Sequence, residues 1–290
     1  MTGKVMPDKA SDGRAGNRAA RLAALAPYGR ALADYQAGAT SATLVLHSNL
    51  GEHDELPVEV FFRTPPEFFL FERYALELCR GRVLDAGAGT GIHSLELMRR
   101  GLAVTAIDIL PEAVRVMRER GVSTVREADM FELSGRTFDT VLMLMNGIGP
   151  VETLTGLDRF LDHARGLLAP GGQLLVDSAE AVTIDEDHPT DQSATPVSMT
   201  WPNEPGERDG PAAQDAYRGE AWIRLEYEGR VAPPFRELYV GADVLQERAV
   251  ASGWNCDLAF EDESGSYLAR LVPSDRDPPR KPEERPAHER

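Results

Sequence analysis

The stretch Val83-Leu84-Asp85-Ala86-Gly87-Ala88-Gly89-Thr90-Gly91 decides the fold. The apolar run at 82–86 predicts a short buried strand, and the helical spacing of 93–100 (HSLELMRR) predicts a helix after the glycines. Glycine suits this turn because some positions are expected to need a positive φ, and because a Cβ would hold the backbone away from a ligand. We therefore predict a strand–turn–helix unit that binds a small molecule at the carboxyl edge of a sheet.

The same alternation of apolar runs and helical segments continues to residue 177. Further strands are predicted at 103–108, 122–129, 137–145 and 173–177, and helices at 111–120 and 154–168. Strands that are apolar throughout and alternate with helices are typical of a parallel sheet covered on both faces.

The pattern changes after a proline-rich region. Strands are predicted at 222–227, 235–240, 256–260 and 267–271, and a helix at 243–252. We expect an antiparallel hairpin at the edge of the parallel sheet. The predicted fold class is α/β, with a doubly wound, mostly parallel seven-stranded sheet and an antiparallel C-terminal edge.

Composition separates the core of the chain from weakly structured segments. Residues 1–17 lack apolar periodicity and 273–290 are rich in proline and charge, so both predict disordered tails. Residues 185–215 hold five prolines among acidic and small residues and predict a flexible insertion. Residues 18–80 are predicted to form a helical or lid segment, and 81–272 the ligand-binding domain.

Charge and cysteine content narrow the function classes. The formal net charge is -16 and no long basic run occurs, so nucleic acid and an anionic membrane surface are poor partners. No apolar run approaches the roughly 20 residues that cross a bilayer, and residues 1–21 have no secretory apolar core. Cys79 and Cys256 lie far apart, as expected in a reducing compartment. We expect a cytoplasmic protein that acts on a small molecule; no oligomeric state is predicted.

The glycine spacing separates two ligand classes. A dinucleotide fingerprint reads G-x-G-x-x-G, whereas this turn reads G-x-G-x-G and Ile92 stands at the place of the third glycine. The strand–DAGAGTG–helix stretch resembles motif one of the class I S-adenosylmethionine (SAM)-dependent methyltransferases. The resemblance continues through 106–108, 127–131, 138–141 and 167–174, and so covers about a third of the chain. It implies SAM as cofactor and in-line methyl transfer to a nitrogen or oxygen of a small molecule.

The resemblance also assigns cofactor-binding roles to individual residues: Asp85, Gly87, Ala88, Gly89, Gly91, Asp108, Ile109, Asp129 and Met130. Asp108 ends the second strand and is expected to accept hydrogen bonds from both ribose hydroxyls; the alternative is a solvated strand end. Asp129 and Met130 follow the third strand, where family members contact adenine, although Asp129 also suits a helix cap. Asp85 is expected to organise the loop rather than touch the ligand.

The turn after the fourth strand, Met145-Asn146-Gly147-Ile148-Gly149, carries a catalytic candidate. Some small-molecule N-methyltransferases, such as those acting on glycine and sarcosine, have Asn-Ser-Phe at this place, and only Asn146 carries over. We expect Asn146 to position the cofactor or the nucleophile. The alternative is a turn residue, since asparagine tolerates the left-handed conformation.

Three further residues are candidates for the site. A nucleophile that holds a proton needs a base, and His47 is the second catalytic candidate, with a satisfied or exposed histidine as the favoured alternative. Arg63 is expected to bind a carboxylate of the cofactor or the acceptor, or else to be a surface arginine. His93 follows the glycine turn and is expected to be solvated. The acidic stretch around His47 and His53 lacks a recognised ligand spacing, so no metal is expected.

Two alternatives to a methyltransferase stay open on the sequence. A nicotinamide-dependent oxidoreductase would use the same fold class, but it needs the third glycine. A non-catalytic SAM-binding partner protein would show the same motifs, because the family has no universal catalytic residue.

Overall fold

The computed structural model of the chain describes residues 9–51, 53–181 and 217–275. In chain order the elements are α1 (Lys9–Gln36), β1 (Thr43–Ser48), β2 (His53–Pro57), α2 (Leu70–Leu78), β3 (Arg82–Ala86), α3 (Ile92–Arg99), β4 (Ala103–Asp108), α4 (Pro111–Glu119), β5 (Val125–Glu127), β6 (Phe138–Met143), α5 (Leu154–Arg165), β7 (Leu168–Ala179), β8 (Glu220–Tyr227), β9 (Arg230–Val231), β10 (Phe235–Leu238), α6 (Ala242–Ala251), β11 (Trp254–Glu261) and β12 (Ser266–Pro273). Short 3₁₀ turns lie at Val58–Phe62, Pro65–Glu67 and Gly149–Val151.

The larger sheet has seven strands in the order β11-β12-β7-β6-β3-β4-β5. Strands β7, β6, β3, β4 and β5 are parallel neighbours, and β12 and β11 extend the sheet in antiparallel fashion beyond β7. Val83, Leu84 and Leu142 are wholly buried, as expected for parallel strands that helices cover on both faces. The predicted α/β fold with an antiparallel C-terminal edge is therefore confirmed.

Helices cover both faces of this sheet. Phe160 of α5 and Trp254 belong to the core on one face, and Leu76 of α2 and Leu97 of α3 belong to the core on the other. Helix α5 begins where the Thr153 hydroxyl accepts a hydrogen bond from a backbone N–H of the first turn, which satisfies one of the free donors there.

The second sheet differs from the prediction. Strands 222–227 and 235–240 were expected to pair with each other, and they do so as β8 and β10. They do not lie at the edge of the parallel sheet, however, but form a separate sheet with β1 and β2 in the order β10-β8-β1-β2, with β9 beside β8. The predicted helical or lid segment 18–80 thus contributes a β-hairpin as well as α1 and α2. A period-two pattern fixes which face of a strand is buried but not its partner, and here the partner strand lies far away in sequence.

The inner face of the second sheet packs above the ligand-binding edge of the first. Leu44, Ile223 and Leu225 of that face share a core with Leu32 of α1 and with Leu110, which follows β4. The N-terminal helix and the second sheet therefore cover the carboxyl ends of the parallel strands.

The ordered part of the chain extends into both predicted tails. Helix α1 begins at Lys9, inside the stretch 1–17, because extending an anchored helix is far easier than nucleating one. Pro273 ends β12 opposite Trp254, and Ser274 donates a backbone hydrogen bond to the Gly253 carbonyl, so the ordered chain passes the predicted start of the second tail. The insertion 185–215 and the tail beyond residue 275 lie outside the described residues. No helix in the described ranges is long and apolar enough to span a bilayer.

Candidate active site

A cavity of about 580 Å³ lies between the two sheets. One wall consists of the turns after β3, β4, β5 and β6 together with the end of β7. The opposite wall is mainly apolar and includes Tyr28 of α1, Leu44, Leu46, Leu225 and Phe235. The cavity is thus at the carboxyl edge of a doubly wound sheet, where such folds bind ligands, and its volume falls within the roughly 300–1,000 Å³ of small-molecule sites.

The glycine loop divides into a cavity side and a packing side. Gly87, Ala88 and Gly89 line the cavity, and the backbone N–H groups of Gly87 and Ala88 both donate to the Ile107 carbonyl. Gly91 has φ +78°, and a Cβ there would lie 2.8 Å from the Val122 side chain. Gly91 is therefore required by the packing of the loop on α4 and does not itself line the cavity.

Asp85 and Asp108 stand at the ends of neighbouring strands and have different environments. Asp85 is buried below the loop and accepts a hydrogen bond of 2.6 Å from the Ser94 hydroxyl of α3, away from the cavity. Asp108 lines the cavity and accepts backbone hydrogen bonds of 2.9 Å from Gly89 and from Leu110. Burial raises the pKa of the Asp108 carboxyl, although these two hydrogen bonds oppose the shift.

The end of the third strand brings Asp129 and Met130 to the same cavity. The Asp129 carboxylate accepts a hydrogen bond from the Phe131 backbone N–H in an Asx turn, which leads to β6 rather than to a helix, and forms an ion pair of 3.2 Å with Arg21 of α1. Both partners are mostly buried, so Asp129 ties the N-terminal helix to the sheet edge. The apolar side chains of Met130 and Ile109 also line the cavity.

The turn after β6 carries Asn146 in a strained conformation. Met145 and Asn146 have φ values of 68° and 56°, which non-glycine residues seldom adopt. The Asp177 carboxylate of β7 holds the turn by accepting the backbone hydrogen bonds of Asn146 (3.0 Å) and Gly147 (2.9 Å). Burial raises the pKa of Asp177 to about 6. Both Asn146 and Asp177 line the cavity.

A protein of known structure is similar to this chain in both sequence and fold. A SAM-dependent methyltransferase from Bacteroides fragilis, crystallised with S-adenosylhomocysteine (SAH), is 34% identical in sequence, with a TM-score of 0.72 over 87% of this chain and 96% of that one. The chain belongs to the class I SAM-dependent methyltransferases. SAM is the methyl donor of that family, and this membership favours the methyltransferase hypothesis over a nicotinamide-dependent oxidoreductase.

Comparisons of sequence also indicate a methyltransferase domain over the part of the chain from β3 to the start of β7. A family described as a methyltransferase domain matches residues 83–172. A demethylmenaquinone methyltransferase of Tropheryma whipplei is 32% identical over 32% of this chain, and a ubiquinone biosynthesis O-methyltransferase of Xanthomonas euvesicatoria is 38% identical over 35%. The chain spans only 40% and 44% of the length of these two relatives.

The residues of the methyltransferase fit the cofactor of its family. A Cβ added at Gly87 would meet no atom within 4 Å, so the loop leaves open space on its cavity side. The Asp108 carboxylate stands at the next strand end, beside the apolar side chains of Ile109 and Met130. An acidic group for hydroxyls, apolar side chains for an aromatic ring and bare backbone for a close approach together suit a nucleoside ligand.

Arg63 and His93 are buried in one ion-pair cluster, so the expectations of a surface arginine and a solvated histidine are wrong. Glu72 of α2 is wholly buried, and one of its carboxylate oxygens lies 3.0 Å from Arg63 Nη2 and 2.7 Å from His93 Nε2. Burial alone would raise the pKa of Glu72, but the hydrogen bonds from His93 and from the Phe69 backbone and the Arg63 charge hold it below its usual range.

The two basic residues of this cluster differ in whether they line the cavity. Arg63 also donates to the backbone carbonyls of Val60 and Glu67 and stacks over the Phe69 ring at 4.0 Å, so its guanidinium is used within the protein. It does not line the cavity, whereas His93 does. The structure thus gives Arg63 internal partners in place of the expected ligand carboxylate.

His47 is buried away from the cavity. Its neighbours Leu44 and Leu46 point inward, and His47 lies on the other face of β1, where its ring contacts Glu226 at 3.0 Å and His53 Nδ1 at 3.1 Å. The structure therefore favours the alternative of a satisfied histidine over that of a base.

Several polar residues of the cavity were not predicted from the sequence, among them Asp177, Glu237 and Tyr239. Glu237 and Tyr239 follow each other on and after β10, and both line the cavity. The Glu237 carboxylate accepts hydrogen bonds from the Asn146 side-chain amide (3.1 Å) and the Tyr239 hydroxyl (3.3 Å). Their only signal in the sequence is a pair of polar residues at alternate positions of a short strand, which is equally typical of a solvated face.

Within the described ranges, no three His, Cys, Asp or Glu side chains converge in a way that would hold a metal ion.

Proposed function

We propose that the chain transfers the methyl group of SAM to a small-molecule acceptor that binds in the cavity between the two sheets. The observation that carries the proposal is the two-sided lining of this cavity. The glycine loop, Asp108 and Asp129 form one wall, and apolar side chains of α1 and the second sheet form the other. A cavity of this volume between two walls suits a small-molecule acceptor beside the cofactor.

The roles of the cavity residues follow from their positions. Gly87, Ala88 and Gly89 give the cofactor close access to the backbone, Asp108 accepts hydrogen bonds from ribose hydroxyls, and Ile109 and Met130 flank the base. The acceptor occupies the side formed by the second sheet. SAM supplies a methyl group on a positively charged sulfur, so the protein must mainly align a nitrogen or oxygen nucleophile with it and exclude water.

Titration and turnover test the proposal. Calorimetry should show that SAM and SAH bind with a micromolar or lower Kd, which is a binding free energy of about -8 kcal/mol. NADH should show no comparable binding. SAH release in the presence of a metabolite panel then separates an enzyme from a non-catalytic SAM-binding protein. Tight NADH binding without SAM binding would contradict the proposal.

A further inference from the structure

Glu237 is a carboxylate on a mainly apolar face. In β10 it lies opposite Ala221, and Phe235 lies opposite Ile223, so Glu237 belongs to the inner face that carries Leu225. Among the described residues, no Lys, Arg or His nitrogen lies within 4.0 Å of its carboxylate oxygens. Glu237 is half-buried at the cavity wall, and a carboxylate partly removed from water without a cation is typical of functional sites.

Asn146 carries an unsatisfied acceptor beside Glu237. Its amide nitrogen donates to Glu237, while its buried Oδ1 accepts no hydrogen bond from any described residue. Gly149 makes room for the pair, since a Cβ there would lie 2.6 Å from Asn146 Nδ2 and 3.3 Å from the Glu237 carboxyl carbon. The strained turn and the glycine thus place the Glu237 carboxylate and the Asn146 amide side by side at one end of the cavity.

The number of hydrogens distinguishes the possible ligands. A hydroxyl group offers one hydrogen to two acceptors, whereas an amine or ammonium offers two or three. An ammonium group would also give the Glu237 carboxylate a cationic partner. An apolar remainder of the acceptor molecule suits the surrounding side chains. We propose that Glu237 and Asn146 bind the nitrogen of an apolar amine acceptor and that Glu237 receives the proton this nitrogen must lose. This assignment rests on the proposed function and names its acceptor class.

The proton and electrons balance in two steps. First, the ammonium of the bound acceptor gives a proton to Glu237, which leaves a neutral amine and a neutral carboxylic acid. The nitrogen lone pair then forms a bond to the methyl carbon while the carbon–sulfur bond breaks, and its electron pair remains on sulfur in SAH. Burial raises the pKa of Glu237, which favours the proton transfer. The product is a methylated ammonium, and the proton on Glu237 leaves to water.

Matched pairs of acceptors test this assignment. Benzylamine and cyclohexylmethylamine are compared with benzyl alcohol and cyclohexylmethanol, both for binding to the protein saturated with SAH and for methyl transfer from SAM. We expect the amines to bind about tenfold or more tightly than the alcohols and to yield N-methylated products by mass spectrometry. Glu237→Gln should lower kcat/KM for amines by about a hundredfold, with SAH affinity within about threefold of wild type.

The exposed Glu247 of α6 provides the control, because Glu247→Gln removes a carboxylate that does not line the cavity and should leave all values unchanged. Equal binding of amines and alcohols, no amine binding to the SAH complex, or wild-type kinetics in Glu237→Gln would overturn the assignment. Should Glu237→Gln fail to fold, the preference of the wild-type protein decides alone. Absence of SAH binding to the wild-type protein would instead overturn the proposed function, and the amine assignment with it.

Discussion

The Asp108 carboxylate holds the glycine loop in place, since Gly89 and Leu110 each donate to one of its oxygens. Each oxygen retains a second lone pair for a ribose hydroxyl. Because a hydrogen bond to a charged group is worth about 1.5–3 kcal/mol, we expect Asp108→Ala to weaken SAH binding by about a hundredfold or more. Calorimetry measures the affinity.

Asp139→Ala is the control for Asp108→Ala, because this exposed carboxylate pairs with Arg82 at the opposite edge of the sheet. Its SAH affinity should equal that of wild type. Unchanged affinity in a folded Asp108→Ala variant would show that ribose binds elsewhere.

Arg63 provides a prediction about stability, since it neutralises the wholly buried Glu72. Arg63→Ala removes one partner of the buried Glu72 carboxylate and leaves the His93 ring and the Phe69 N–H, so it should lower the free energy of unfolding by about 3 kcal/mol, the lower end for a broken buried ion pair. Arg82→Ala breaks the exposed pair with Asp139 and should cost at most about 1 kcal/mol. Urea unfolding compares the two variants, and equal losses would contradict the structural role given to Arg63.

Asp177 makes the stability of the protein depend on pH. Burial raises its pKa from 3.8 to about 6, so between these values the native state binds more protons than the unfolded state. The free energy of unfolding therefore falls as pH rises through this window. The stabilising contribution is complete below about pH 4 and is lost above about pH 6, and it amounts to about 3 kcal/mol.

The variant Asp177→Asn isolates this contribution. It cannot ionise, so the difference in unfolding free energy, variant minus wild type, should rise by about 3 kcal/mol between pH 4 and pH 7. The change with pH matters rather than the difference at one pH, because the amide also alters the hydrogen bonds to Asn146 and Gly147. A pH-independent difference would mean that Asp177 ionises normally.

At the scale of elements, the glycine loop separates packing from ligand access. Gly91→Ala adds a strained positive φ, about 1–2 kcal/mol, to a collision with Val122 and Met117 that costs about 1–3 kcal/mol more. Gly87→Ala adds only the first cost, because no atom lies within 4 Å of the added Cβ, but that Cβ projects toward the cavity side. Thermal unfolding should therefore show Gly91→Ala as the less stable variant. Calorimetry should show that Gly87→Ala loses more SAH affinity, relative to its loss of stability, than Gly91→Ala does. The reverse order would contradict the assignment of Gly91 to packing and of Gly87 to ligand access.

The elements also show which parts of the structure a sequence can predict. Strands β3 and β4 and the helices after them were predicted nearly to the residue, because buried parallel strands are short apolar runs with clear boundaries. The second sheet was missed, because Val45 pairs with Glu226 and nothing local records a contact between residues so distant. Asp108 followed from the family motif, whereas Glu237 did not, because its role depends on the pairing that brings β10 over the cavity.

The whole molecule surrounds its cavity with segments from both ends of the chain. Arg21 and Tyr28 of α1 line it, as do Tyr239 and Tyr267 more than two hundred residues later. Thr90 of the glycine loop also donates a hydrogen bond to the Phe61 carbonyl, so the cofactor loop and the N-terminal segment are in direct contact. A ligand in the cavity would therefore contact both sheets and α1.

This enclosure predicts how SAH should affect the entire fold. At a concentration one hundred times its Kd, a ligand that binds only the native state adds about 2.7 kcal/mol of stability, which corresponds to a Tm increase of about 5–10 °C for a protein of this size. NADH at the same concentration should change Tm by less than about 1 °C. Hydrogen exchange should also slow in α1 and β1 as well as in the glycine loop. A ligand that contacts both walls of the cavity makes local opening of either wall less frequent. Protection confined to the loop after β3 would show that the N-terminal helix and second sheet do not close over the cofactor, and that the acceptor side of the cavity is independent of it.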